Sequence, residues 1–150
     1  MELDRESLLV HVPAGARFVE VERHLAERGL GLDVSPAFDG TVGEWLEAGA
    51  PGARSAWLDP ADHLVAGFTA RVRSTGATFS LRPAPRRATG PDLLALVLGA
   101  RGRLLALESV WLRVHRSGVA RPCTEPFGAP DEPLNDDEIA LFDAIEAALR

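Results

Sequence analysis

Side chains that could carry acid–base or metal chemistry are few and scattered along this sequence. The four histidines are His11, His24, His63 and His115. None has the HExxH spacing that places two imidazoles on one helix face around zinc. Asp59, Asp62 and His63 stand close enough for an acid–base set, but no nucleophile with a positioned base lies beside them. The single cysteine, Cys123, builds neither a disulfide nor a thiolate metal cluster. We therefore predict no metal site and no catalytic residue.

Arginine supplies every basic side chain, because the sequence contains no lysine among its 16 basic residues. Schiff-base chemistry at a lysine is therefore excluded. One group of arginines flanks a predicted helix and consists of Arg82, Arg86, Arg87, Arg101 and Arg103. Guanidinium groups bind phosphate or carboxylate bidentately, so this group predicts either an anion site or a solvated, salt-bridged face.

Composition narrows the class of protein. A chain of 150 residues with 46% hydrophobic and 25% charged residues has the size and content of one globular domain. The net charge of −6 argues against a nucleic-acid-binding surface and against an anionic membrane surface. The N-terminal residues show no basic segment followed by a long apolar stretch, so we expect a cytoplasmic protein without a membrane span.

The first half of the chain predicts a strand, a helix and a short capped helix. Residues 7–13 are β-rich and end at Pro13, and the apolar steps after Phe18 predict an amphipathic helix with Gly29 as its C′ residue. Thr41 and Glu44 have capping-box spacing, which predicts a helix over residues 42–47. Residues 48–62 are predicted to form an irregular loop with Trp57 against the core.

The second half predicts an antiparallel sheet. Residues 64–72 alternate as a strand with one buried face, and a turn at residues 74–76 joins them to a second strand. A helix is predicted from residue 91 to Leu98, followed by one long strand over residues 103–115 that pairs with the hairpin. After a Pro-rich linker, Asn135 or Asp136 caps a final amphipathic helix. Its apolar stripe consists of Ile139, Phe142, Ile145 and Leu149.

Three segments carry a family resemblance, namely GTVGEW at residues 40–45, PRRATGPDL at 85–93 and GARGRLLALESVWLRV at 99–114. They resemble, in order and spacing, the FAD-binding (PCMH-type) domain of the alkylglycerone-phosphate synthases, a branch of the vanillyl-alcohol oxidase-type flavoproteins. The opening VPAGARFVEVERHLAERGL and DHLVAGFTARVRSTG are similar to the same domain. The resemblance spans residues 7–114. It implies an α+β fold with an antiparallel sheet flanked by helices, like the second subdomain of that fold, plus a C-terminal helix.

The resemblance also implies a cofactor face. The positions that match the family's FAD-contacting residues are Thr41, Gly43, Ala50, Gly102 and Leu104. The family's pattern is broken beside them, because Glu44 and Leu105 replace glycines. Pro51 replaces a serine, Arg101 a glutamate, and Leu58–Asp59 a Tyr-Gly pair. A leucine fills space where glycine would let a ligand approach the backbone.

These observations lead to two hypotheses of function. The Gly-rich loop that holds the FAD pyrophosphate in the family belongs to a first lobe with no counterpart in this sequence, and the cap with the family's catalytic histidines has none either. We expect a domain that does not bind FAD alone and acts by self-association or by contact with another protein. The alternative is the FAD-binding subunit of a split flavin oxidoreductase or alkylglycerone-phosphate-synthase-like enzyme completed by a partner chain. The predicted organisation is a domain over 1–118, a linker over 119–134 and a helix over 135–150.

Overall fold

The fold is taken from a computed structural model that describes residues 1–34, 37–53, 64–83, 93–118 and 133–148. An antiparallel sheet of five strands runs through it in the order β1-β2-β6-β4-β5. These strands are β1 (Glu2–Asp4), β2 (Leu9–Pro13), β4 (Val65–Val72), β5 (Thr78–Leu81) and β6 (Leu105–Arg113). A two-stranded sheet pairs β3 (Leu30–Gly31) with β7 (His115–Arg116). The described helices are α1 (Phe18–Ala26), α2 (Val42–Glu47), α3 (Leu93–Gly99) and α4 (Asp136–Ala148).

One hydrophobic core joins the sheet to the first three helices. The strands contribute Val10 and Val12 from β2 and Val110 and Leu112 from β6, all fully buried. The helices contribute Phe18, Val21 and Leu25 from α1, Val42, Trp45 and Leu46 from α2, and Leu94 and Val97 from α3. The predicted class, an α+β fold with an antiparallel sheet flanked by helices and a C-terminal helix, is confirmed.

Two strand predictions need correction. The strand predicted over 103–115 covers only Leu105–Arg113, because the chain leaves the large sheet at buried Val114 and then pairs with β3. In β4, both faces are buried in the first half, since Val65, Ala66 and Phe68 are at most 2% exposed. The one-faced pattern holds only beyond Phe68. The register shift between Val65 and Gly67 explains why strict alternation fails there.

The end of α1 differs from the prediction, whereas the start of α4 agrees with it. Helix α1 ends at Ala26 rather than next to Gly29, because the amides of Arg28 and Gly29 bond three residues back and tighten the last turn. Gly29 still has a left-handed φ of 70°. Asn135 caps α4 as predicted, since its side chain accepts the Glu138 N–H at 2.9 Å.

Helix α4 contacts the rest of the domain through one side of the helix. Phe142 and Ile145 are half-buried against the core, whereas Ile139 is 38% exposed. Arg103 donates to Asp143 at 2.8 Å and lies 5.5 Å from the Phe142 ring centroid. Arg103 is therefore salt-bridged to α4, which agrees with the predicted salt-bridged face and not with the alternative of an anion site. The residues that lie outside the described ranges include Trp57, Arg86, Arg87, Leu149 and linker residues 119–132.

Among the described helices, none is long and apolar enough to cross a bilayer. Within the same part of the chain, no group of three or more histidine, cysteine, aspartate or glutamate side chains is placed to hold a metal ion.

Candidate functional site

Helix α2 and the two loops beside it carry the five positions matched to cofactor contacts. Thr41 begins this helix, and its Oγ1 accepts the Glu44 N–H at 3.2 Å. The Glu44 carboxylate accepts the Thr41 N–H at 2.7 Å and lies 3.0 Å from Oγ1. The predicted capping box is confirmed. The backbone N–H and the hydroxyl of Thr41 are thus both bonded to Glu44.

Glu44, which stands where the resembled family has glycine, is held in its charged form. The backbone and then the side-chain hydrogen bonds from Thr41 hold its pKa below the ordinary value of 4.5, and the Arg17 charge adds to this effect. The side chain is exposed, so the carboxylate presents a negative charge at the start of α2.

Replacing Glu44 with glutamine tests this assignment. A carboxylate whose pKa is lowered by folding stabilises the native state above its unfolded value, and that contribution is lost as the pH falls through the lowered pKa. We expect Glu44→Gln to lower the melting temperature at pH 7, with the difference from the wild type disappearing well below pH 4.5. Glu6→Gln, which removes the same charge from an exposed turn, is the control. An equal loss in both variants would contradict a specific role for Glu44.

Gly43 lies against a neighbouring turn and not against an open cleft. Its N–H donates to the Ala14 carbonyl at 2.8 Å. A Cβ at position 43 would come within 3.2 Å of the Cβ and the carbonyl oxygen of Ala14. Glycine is therefore favoured here by close packing against Ala14, which accounts for the residue without any ligand.

The loop after α2 is held by hydrogen bonds to Trp45 of that helix. Ala50 is fully buried, has a left-handed φ of 54° and donates its N–H to the Trp45 carbonyl at 2.9 Å. The Trp45 indole N–H donates to the Pro51 carbonyl at 2.9 Å. The backbone carbonyl of residue 51 thus supplies the acceptor that a buried indole requires, and the family's serine would supply it equally.

The loop before β6 approaches the opposite end of α2. Gly102 has a φ of 71°, Arg101 before it has a φ of 47°, and Leu104 after it is 1% exposed. A Cβ on Gly102 would lie 2.6 Å from a carboxylate oxygen of Glu47 in α2. The Arg73 guanidinium donates to the Gly102 carbonyl. The Glu47 carboxylate therefore lies directly over the backbone that the resemblance assigns to cofactor contact.

The structure thus brings the predicted positions together around α2, and most are covered. Gly43, Ala50 and Leu104 are buried, while Thr41 and Gly102 are partly exposed. Leu105 is 5% exposed and pairs with Val72 in the sheet. Leu58–Asp59 lies outside the described residues.

Two residues and one hydrogen bond of the candidate site were not predicted from the sequence, namely Glu47, Arg73 and the Trp45–Pro51 hydrogen bond. Glu47 meets Gly102 from a position 55 residues away, a contact that depends on how α2 and the loop before β6 pack. The Trp45–Pro51 bond could have been expected from the nearby sequence, because a tryptophan on the apolar face of a short helix needs a nearby acceptor for its N–H.

Comparison with known proteins supports the fold. The sequence matches no protein-family model. Two solved structures of alkyldihydroxyacetonephosphate synthase are similar to this chain, with TM-scores of 0.62 and 0.63 and sequence identities of 22% and 24%. Each match covers 77% of this chain and 21% of the enzyme chain, so this chain spans about a fifth of the length of the enzyme. The described fold is therefore similar to one part of alkyldihydroxyacetonephosphate synthase.

Proposed function

We propose that this chain is a flavin-free domain on the scaffold of a flavin-binding lobe, and that it acts as a structural or protein-interaction module. The observation that carries the proposal is that the positions matched to FAD contacts are satisfied by the domain's own packing and hydrogen bonds. Gly43 contacts Ala14, and Ala50 and Leu104 are buried in the core. The side chain of Thr41 is bonded to Glu44.

Electrostatics supports the same proposal. A dinucleotide pyrophosphate is bound by clustered backbone N–H groups and positive potential. Here the carboxylates of Glu44 and Glu47 lie at the two ends of α2, and the whole chain has a net charge of −6. A bound pyrophosphate near α2 would be repelled by both carboxylates.

Flavin titration tests the proposal directly. We expect the purified chain to be colourless and to leave the visible absorbance and fluorescence of added FAD unchanged, because the positions matched to FAD contacts are engaged by contacts within the domain. Bovine serum albumin at the same concentration is the control for nonspecific quenching. A yellow protein that retains stoichiometric FAD through gel filtration would refute the proposal.

A second candidate function is supported by the backbone. Ala50 and Arg101 have left-handed φ values of 54° and 47°, which cost free energy for residues with a Cβ, although Leu8 and Asp33 outside the site share this conformation. Ala50 and Arg101 lie in the loops that the resemblance assigns to cofactor contact. On this view the chain is the FAD-binding part of a split flavin oxidoreductase or alkylglycerone-phosphate-synthase-like enzyme. It would take up FAD only when another polypeptide supplies a Gly-rich pyrophosphate loop, and absorbance spectra of the mixture separate the two candidates.

A further inference from the structure

Helix α4 is attached to the domain through much less buried surface than the other described helices. Helices α1, α2 and α3 each place side chains in the hydrophobic core, among them Phe18, Trp45 and Val97. None of the 13 residues of α4 is buried, and Leu141 is 59% exposed. Because packing of an apolar face supplies most of the stability of a helix in a protein, α4 is held more weakly than α1, α2 or α3.

The contacts that dock α4 meet at Arg103, in the loop before β6. The Arg103 guanidinium donates to the Asp143 carboxylate at 2.8 Å and lies 5.5 Å from the Phe142 ring centroid. Phe142 and Ile145, three residues apart on one side of the helix, are half-buried against the core. The docking contact therefore combines one ion pair with two half-buried apolar side chains.

The backbone of α4 is satisfied within the helix itself. Asn135 Oδ1 accepts the Glu138 N–H at 2.9 Å, and Glu138 Oε2 accepts the Asn135 N–H at 2.9 Å. These two bonds form a capping box that needs no residue of the domain. Over the part of the chain that the structure describes, no backbone hydrogen bond joins α4 to the sheet or to another helix. Movement of α4 away from the domain therefore leaves the hydrogen bonds of the sheet intact.

We propose that α4 is a strap, meaning a helix that docks on Arg103 and the core and undocks from them while the sheet and helices α1, α2 and α3 stay folded. Elements held by few buried apolar contacts open locally in this way. Undocking exposes Phe142 and Ile145 and releases Arg103, which lies between Gly102 and Leu104. The strap thus controls the restraint on the loop that carries two of the positions matched to cofactor contacts. This inference does not depend on whether the chain binds flavin.

Amide hydrogen exchange on the full chain measures the equilibrium constant for undocking. An isolated helix of this length is marginal in water, so the α4 amides lose protection when the strap undocks. We expect them to exchange at least about tenfold faster than the β6 amides. Phe142→Ala should speed exchange across α4 by a further factor of about ten or more while β6 is unchanged. Leu141→Ala is the matched control, because Leu141 is mostly exposed and alanine favours the helix in both variants.

Asp143→Asn tests the charge contact at Arg103. At about 0.1 M salt it should raise the equilibrium constant for undocking by roughly two- to fivefold, the range for one solvent-exposed ion pair. The Arg103 side chain is 30% exposed and that of Asp143 62%, so the difference from the wild type should disappear at about 1 M salt, where charges are screened beyond about 3 Å. In an Arg103→Met background the same change should have no effect, because the partner charge is absent.

Three results would overturn the strap. Exchange of the α4 amides at the rate of the β6 amides, or loss of β6 protection in Phe142→Ala, would show that α4 is an integral part of the folded domain. Exchange of the wild-type α4 amides as fast as in an unstructured peptide would show that the helix does not dock. An equal effect of Asp143→Asn in both backgrounds would refute the role of Arg103.

Discussion

Replacing Trp45 with alanine is expected to destabilise the domain by about 3–5 kcal/mol, the usual range when a buried aromatic side chain is removed. Trp45 is fully buried, its ring lies 4.7 Å from that of Phe18, and its indole N–H is bonded to Pro51. The alanine variant therefore loses packing and leaves a carbonyl without its donor. In a protein with a total stability of roughly 5–15 kcal/mol, this loss is a large fraction.

Trp45→Phe separates the two contributions. It keeps most of the apolar volume and loses the hydrogen bond to Pro51, so we expect roughly 1–3 kcal/mol for this variant. Urea unfolding should be followed by circular dichroism and not by tryptophan fluorescence, because replacing Trp45, one of three tryptophans, changes the fluorescence signal itself. Trp45→Ala should also speed exchange of the Ala50 amide, which is bonded to the carbonyl of residue 45. Equal losses in the two variants would show that packing contributes little.

The difference between these variants bears on the candidate site, since Trp45 connects α2 to the loop that carries Ala50. Loop positions in a ligand site are commonly held by the scaffold behind them. If Trp45→Phe stays folded, it offers a test of whether loosening this loop exposes a surface for flavin. Under the proposed function it does not, because Gly43 and Leu104 remain covered by Ala14 and by the core.

Local signals in the sequence predicted the elements that depend on near neighbours. Thr41 and Glu44 are three residues apart, so their capping box is a property of one turn of chain, and the structure shows it. The same holds for the Asn135 cap and for the hairpin turn, where Gly76 has a φ of 71°. Each involves contacts within a few residues, which composition and spacing can specify.

Long-range pairing could not be predicted in the same way. The placement of β6 between β2 and β4 sets the register His11 opposite Trp111, and their rings stack at 4.5 Å. Nothing near either residue indicates this partner. The switch of the chain at Val114 into a second sheet likewise depends on β3, some 85 residues earlier. The periodicity of the long strand alone therefore predicted too great a length.

At the candidate site, the sequence predicted which residues belong to the site but not what each of them contacts. The resemblance placed Glu44 and Leu105 at a cofactor face, where they would act as obstructions. In the structure Glu44 caps α2, and Leu105 belongs to the buried sheet. These residues have structural roles of their own, which supports a domain stabilised without a ligand. Such roles require coordinates, because each depends on a neighbour's position.

Replacing Gly67 with alanine is expected to destabilise the domain by about 3 kcal/mol, at the upper end of the range for overpacking. A Cβ at this position would overlap the Leu81 carbonyl oxygen and lie 2.8 Å from the Pro83 nitrogen and 3.0 Å from the Arg82 carbonyl carbon. All three are backbone atoms, so no side-chain rotation relieves the contact, and β4 and β5 must separate. Sequence periodicity treats Gly67 only as a weak strand residue.

Gly15→Ala is the matched control, because a Cβ at that position meets no atom within 4 Å. Urea unfolding of the two variants should show a large loss for Gly67→Ala and almost none for Gly15→Ala. The loss should be concentrated at β5, with faster amide exchange at Phe79 and Leu81, since the displaced backbone follows directly after that strand. Similar stability of the two variants would mean that the backbone of residues 81–83 does not pack over Gly67 in β4.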